Sequence, residues 1–274
     1  MNHPDYAAIQ ALNWSTVKLL ETSPLLYRRR VDVPEEDKEA YVLGRALHAA
    51  VLEPVLFASA YCGQPNFGDG RTTAAKERKV RWEAEEKPAG AEVLKLADYH
   101  AIVRAADAVH AHRVARDLLR GGRAEEVVTW TDPETGLACK ARLDYITPTG
   151  VRELKSARRV GRRFASDAAG YLYHGQCAFY HDGGITAGAL PADAERPCIV
   201  AVELEEPFDV ACYRLTEVDM GAGRALVRSC LRRFVECQAA DVWPGCAPDM
   251  MDLNLPGWAP GMALTEAPAV EEAF

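Results

Sequence analysis

Three residues in the stretch KARLDYITPTGVRELKSARR, residues 140–159, have types and spacing that could do chemistry: Asp144, Glu153 and Lys155. TPTG reads as a turn between two β-branched, alternating strands. With Thr147–Gly150 as a four-residue loop, Ile146 faces Val151, which sets Asp144 opposite Glu153 and Arg142 opposite Lys155. Side chains alternate across a strand, so Asp144, Glu153 and Lys155 share one face. Cross-strand neighbours have Cβ atoms about 4.5–5.5 Å apart. Two carboxylates that close repel, and folding alone gives no reason to pair them. A divalent cation does: hard Mg²⁺ takes oxygen ligands, commonly one or two carboxylates plus a substrate phosphate. A lysine beside such a site can hold or deprotonate the attacking water and offset charge as it builds on a phosphodiester. The competing reading puts the acids on a solvated face, ion-paired to Arg142 and Lys155.

Neighbouring residues bear on that choice. Glu125 opens the preceding strand and could reach the same pocket. In YLYHGQCAFY, Gln176 and Tyr180 stand four apart on one helix face, an amide and a hydroxyl suited to phosphate or metal-bound water, or simply a solvated rim. His48 lies in the apolar LGRALHAAVLEP, where a core histidine is the plainer reading. The run SARRVGRR follows the hairpin, and Arg158, Arg159, Arg162 and Arg163 could hold backbone phosphates.

The elements that must position these groups follow from periodicity. NWSTVKLLETSPLLYRR reads as a helix capped by Ser15 and ended by Pro24; EAYVLGRALHAAVLEP is a second, breaking near Pro54. Residues 62–73 read as a loop, 74–87 as a polar helix and 97–119 as a longer amphipathic one. From Glu125 three strands form a meander, then come a helix over 164–180, two strands in CIVAVELEE and DVACYRLT, and a helix near 217–240. The expectation is an α/β (α+β mixed) fold, with a mainly antiparallel or mixed sheet flanked by helices. One domain would span 1–264: a helical N-terminal region over 1–120, a catalytic core over 121–240 and an irregular segment over 241–264, with 265–274 a disordered tail.

Composition sets the bounds. The 274 residues are 49% hydrophobic and 26% charged, ordinary for a globular enzyme. No apolar run approaches the roughly 20 residues of a membrane helix. The N-terminus lacks the pattern of a signal peptide, so a cytoplasmic location is expected. Net charge is −8, which argues against a wholly nucleic-acid-coated surface but leaves room for a local basic groove. The eight cysteines include no CxxC pair and read as buried thiols; Cys230, Cys237 and Cys246 match no iron–sulfur spacing.

Taken in order, LGRALHAAVLEP, AEEVVTWTDPETGLACKARLDYI, RELKSA and YLYHGQCAFY resemble the PD-(D/E)xK nuclease superfamily, in the branch of the exodeoxyribonuclease VIII nuclease domain, related to RecB-type and lambda-exonuclease-like enzymes. The resemblance runs from Asn13 to the WPG…LNLPGWA tail. It implies a restriction-endonuclease-like core, Asp144 as metal-binding aspartate, Glu153 as the acid of the ExK element and Lys155 as catalytic lysine. Glu125 matches an acid of the first core strand, with Glu126 its rival. His48 matches a helix histidine that adds a metal ligand, Gln176 and Tyr180 the QxxxY helix, and the Leu154 carbonyl the remaining ligand. Two positions depart from the pattern: Glu153 where aspartate is usual, and Cys246 where an aromatic is expected.

The function implied is an Mg²⁺-dependent exodeoxyribonuclease, with Mn²⁺ able to substitute, degrading linear duplex DNA 5′ to 3′ in recombination or mobile-element processing. A ring-shaped homo-oligomer and a single-strand annealing protein as partner are further implications. The alternatives are an endonuclease or single-strand nuclease of the same fold, and a non-catalytic DNA-binding module.

Overall fold

The computed structural model describes residues 3–33, 38–247, 249–255 and 259. The chain begins with four short helices, α1 (His3–Ala8), α2 (Trp14–Val17), α3 (Leu19–Thr22) and α4 (Pro24–Asp32). Asn13, not Ser15, caps α2: its carboxamide oxygen accepts the Thr16 N–H at 3.1 Å. Pro24 opens α4 instead of ending a helix, because a first-turn N–H has no intrahelical partner to lose. Then follow α5 (Glu39–Leu52) and α6 (Pro54–Ala60), broken at Pro54 as expected. The expected loop from residue 62 instead starts as a strand. β1 (Tyr61–Gln64) precedes α7 (Thr73–Glu85) and pairs in parallel with β2 (Glu92–Lys95). The four residues of β1, YCGQ, lead into a stretch rich in turn formers and carry no alternation to announce a strand.

The helix expected over 97–119 is two, α8 (Leu96–Ala111) and α9 (Arg113–Leu118). They part at His112, whose ring accepts the Ala115 N–H. Then come β3 (Arg123–Thr131), β4 (Ala138–Thr147), β5 (Gly150–Ala157), α10 (Arg162–Gly170), α11 (Tyr173–Thr186), β6 (Cys198–Glu203), β7 (Val210–Arg214) and α12 (Glu217–Ala240). The helix expected over 164–180 is broken too, at Leu172, which takes a left-handed conformation.

β3 to β7 form one sheet in sequential order, antiparallel except for the parallel pair β5–β6, whose crossover is α10–α11. Helices cover both faces. Leu154, Val200 and Val202 pack with Leu47 of α5 and Ile102 of α8, while Ile199 and Ala201 pack with Cys177 and Ala178 of α11 and Met220 of α12. The fold is therefore the mixed sheet between helices that the pattern implied.

The hairpin departs from expectation in two ways. Thr147 and Gly150 are themselves paired, so the loop is the two residues Pro148 and Thr149, with Ile146 facing Val151 as expected. The β4–β5 ladder ends at Tyr145–Arg152. The expected pairs Asp144–Glu153 and Arg142–Lys155 therefore do not form; Arg142 pairs with Val127. Beyond Tyr145 the Asp144 carboxylate, not a backbone carbonyl, accepts the Leu154 N–H at 2.9 Å. The edge of β4 that β5 leaves is taken by Leu12, which accepts from Lys140 N and donates to the Ala138 carbonyl. Lys140, buried, completes that join by donating to the carbonyls of Tyr6 and Ile9, each at 2.8 Å. A notch opens between β4 and β5, with Asp144 at its apex.

Just after α12 the chain meets the N-terminal helices: Trp243 stacks on Tyr27 at 5.4 Å, and the Pro244 carbonyl accepts the Leu25 N–H at 2.9 Å. The expected tail 265–274 lies outside the described residues. Among the described residues no helix is long and apolar enough to cross a membrane.

Candidate metal centre

Glu125 faces Asp144 in the β3–β4 register but drops out of the ladder, with a φ of 52° between the pairs Ala124–Tyr145 and Glu126–Leu143. A side-chain-bearing residue in that region costs roughly 1–2 kcal/mol, and such strain gathers at functional sites. The twist turns the Glu125 carboxylate into the notch. Its Oε1 lies 3.4 Å from His48 Nδ1, and its Oε2 accepts Arg142 Nε at 2.8 Å. Glu126 goes elsewhere, to Arg123.

His48 projects from α5. Its Nε2 lies 3.1 Å from the Leu154 carbonyl and its Nδ1 3.6 Å from Asp144 Oδ1. Oxygens thus face both ring nitrogens. His48, Glu125 and Asp144 each offer a ligand atom within 4.8 Å of the others, the one such group among the described residues. No cysteine belongs to it, and Cys230 and Cys237 are buried while Cys246 is exposed.

Lys155 closes the other side of the notch. Its Nζ donates to Glu153 Oε2 at 2.7 Å and to Asp144 Oδ2 at 3.3 Å. The three residues picked out by spacing do converge, but through Asp144 filling the ladder gap rather than through a flat cross-strand pair. Glu153 stands behind the three-residue group, held through Lys155, and is fully buried. Its Oε1 has no hydrogen-bond partner in the protein.

These neighbours set the charges. Burial and the nearby Asp144 push the Glu153 carboxyl up to about 8. Burial would also raise Asp144, but Lys155, His48 and the Leu154 N–H outweigh it and hold that carboxyl below the usual range. For Lys155 burial works against the ammonium, yet Asp144 and Glu153 prevail and lift it well above an ordinary lysine. His48 is likewise raised, since Asp144 and Glu125 together overcome burial.

Gln176 and Tyr180 arrive on α11. Burial raises the Tyr180 phenol, as do Glu153 and Asp144 beside it, and Gln176 hydrogen-bonds to its hydroxyl. Sequence reasoning missed Tyr173, one helical turn before Gln176, whose ring faces Lys155 Nζ at 5.4 Å. The spacing 173, 176, 180 on one helix face was the available signal. It also missed Lys18, a half-buried ammonium depressed by burial and by the nearby cations Lys155 and Arg30. The arginine run lies on the surface. Arg159 is bound to buried Glu203 at 2.7 Å, and Glu203 also accepts the Val160 N–H. That leaves Arg158, Arg162 and Arg163 as the exposed cations suited to phosphate.

The donor set fits a hard divalent cation. It comprises two carboxylates, an imidazole and a backbone carbonyl, with an orphaned buried carboxylate oxygen on Glu153 behind them.

Residues 15–250 match a family model described as a PDDEXK-like domain of unknown function. A search of curated proteins finds no match. Among solved structures the fold superposes on a protein from Eubacterium rectale described as a "putative exonuclease". The TM-score is 0.62 at 12% identity, over 93% of this chain and 95% of that one. This is a likeness of fold, the restriction-endonuclease-like arrangement of a mixed sheet between helices.

Proposed function

The chain belongs to this PDDEXK-like family, within the PD-(D/E)xK nuclease superfamily, and from that premise we propose a divalent-metal-dependent nuclease that removes nucleotides from DNA ends. The observation that carries the reading is the notch itself. Asp144 touches a potential metal group on one side, His48 and Glu125, and a lysine–glutamate pair on the other. A structural ion pair needs only one acid for Lys155; three acids and a histidine around one opening exceed that need.

His48, Glu125, Asp144 and the Leu154 carbonyl would hold Mg²⁺ or Mn²⁺, with Glu153 completing the set. Such an ion lowers the pKa of bound water and polarises a phosphoryl oxygen. Asp144 and Glu153 keep Lys155 cationic while no ion is bound; beside a bound cation it would hold or deprotonate the attacking water and offset charge on the phosphoryl oxygens. Gln176 and Tyr180 would steady the phosphate from α11. Arg158, Arg162 and Arg163 would grip the backbone, a local cationic patch on a chain of net charge −8. Ring assembly and an annealing partner belong to the proposal as well, and sedimentation of the purified chain tests the first.

The activity test uses linear, nicked and covalently closed DNA with Mg²⁺. An end-dependent enzyme releases nucleotides from linear duplex and leaves the closed circle intact; cutting of the circle would make it an endonuclease. Asp144→Asn and Lys155→Ala should each lower turnover by about 10²–10⁴. Unchanged turnover in both would remove the site from the notch.

A further inference from the structure

Two tyrosines lead from Lys155 to the solvent, and nothing in the metal centre uses them. Tyr173 turns its ring to Lys155 Nζ at 5.4 Å. Tyr171 stacks on Tyr173, with centroids 5.6 Å apart and planes at 27°. Behind Tyr173 stands Phe164, 6.2 Å away, buried and stacked in turn on Tyr213 at 4.6 Å. The inner end of this row is therefore fixed by core packing. The outer end is open: Tyr171 is 59% exposed.

The backbone between the two rings is costly. Leu172 adopts φ 59° and ψ 39°, left-handed, although its side chain disfavours that conformation. This turn separates α10 from α11 and sets residues 171 and 173 face to face, where residues two apart in one helix would diverge. An exposed aromatic stacked on an immobile one, beside an ammonium suited to a phosphate, matches the surface on which a nucleobase stacks when its own phosphate is held nearby.

We propose that Tyr171 is the stacking platform for the base next to the scissile phosphate, with Tyr173 as its rigid backing. The substrate class follows. A base inside a duplex has both faces covered by its neighbours, so only an unpaired or terminal base can lie on Tyr171. The chain acts on single strands and frayed ends, and meets a duplex by splaying its last nucleotide. Every base offers a π face, so the preference carries no sequence. This inference rests on the metal-centre reading for the position of the phosphate.

The test combines Tyr171→Ala and Tyr171→Phe with single-stranded oligonucleotides, either intact or abasic at their terminal residues. Tyr171→Ala should lower kcat/KM on intact strands about tenfold or more, mainly through KM, while Tyr171→Phe stays within about twofold of the parent. On abasic strands all three proteins should cleave alike, since the base that Tyr171 would hold is gone. A loss as large on abasic as on intact strands would assign Tyr171 a structural role and overturn the proposal; so would an alanine variant as active as the parent on both. A second readout needs no cleavage. Terminal 2-aminopurine should be quenched on binding the metal-free protein in EDTA, and not on binding Tyr171→Ala. Quenching that depends on Tyr171 in a protein whose Asp144→Asn variant keeps full turnover would retain the platform and discard the metal centre. The reverse pattern would retain the metal centre and discard the platform.

Discussion

Asp144 and Glu153 line one notch, yet their surroundings drive their proton affinities apart, and this has a measurable consequence. Glu153 titrates near 8 in the folded chain and near 4.3 when unfolded. Below the lower value it is protonated in both states and contributes nothing to a pH slope. Between the two the unfolded chain ionises while the folded site resists, so metal-free stability falls as pH rises; above 8 the loss levels off. Glutamine at 153 removes this slope. Urea unfolding in EDTA should show Glu153→Gln gaining on the parent by on the order of 2 kcal/mol between pH 5 and pH 8. A flat difference would mean that Glu153 ionises freely in the fold. Asp144, Glu153 and Lys155 were legible in the sequence because strand alternation converts spacing into a shared face. The insertion of the Asp144 carboxylate into the ladder was not, since nothing in residue type tells where a β-ladder stops. In the sequence the choice of Glu125 over Glu126 rests on the family resemblance alone: neighbouring acids on a strand look to opposite faces, and Glu125 turns into the notch through a positive φ that a glutamate does not advertise.

Among the elements, α11 carries Gln176 and Tyr180, so its seating on α12 sets their reach. The close approach is made at Gly223, where a Cβ would stand 2.3 Å from the His174 carbonyl oxygen. Alanine is the better helix former by about 1 kcal/mol, but a backbone carbonyl cannot swing aside. Gly223→Ala should therefore destabilise the chain by on the order of 2 kcal/mol in urea unfolding and lower activity with it. Gly44, in α5 one turn before His48, has nothing within 4 Å of an added Cβ. Gly44→Ala should be neutral or gain up to about 1 kcal/mol. Equal effects at the two positions would show that propensity, not contact, governs both. The long helices and the strands of the main sheet could be read from periodicity because local pattern determines them. The pairing of Tyr61–Gln64 with Glu92–Lys95 and the lodging of Leu12 against β4 join short or distant segments whose partners leave no local mark.

At the scale of the whole molecule, the site is a property of the tertiary fold. His48 comes from α5, Glu125 from β3, Asp144 from β4 and the Leu154 carbonyl from β5, and no two of these four candidate ligands are neighbours in sequence. The unfolded chain cannot gather them, so a cation that binds there binds the folded state alone and must raise its stability. At a hundredfold excess over its dissociation constant the gain is about 2.7 kcal/mol, which in a chain of this size is about 5–10 °C in Tm. Thermal unfolding across an Mn²⁺ titration should show that rise, with Mg²⁺ acting at higher concentration. Asp144→Asn should abolish it, because Asp144 stands between the histidine side of the notch and the lysine side and its charge faces both. Lys155→Ala should keep it while losing turnover, because an ammonium helps the chemistry but repels the ion. A Tm that ignores Mn²⁺ in the parent, or an equal rise in Asp144→Asn, would place any cation elsewhere and leave the notch a cluster of charges with no ion to join them.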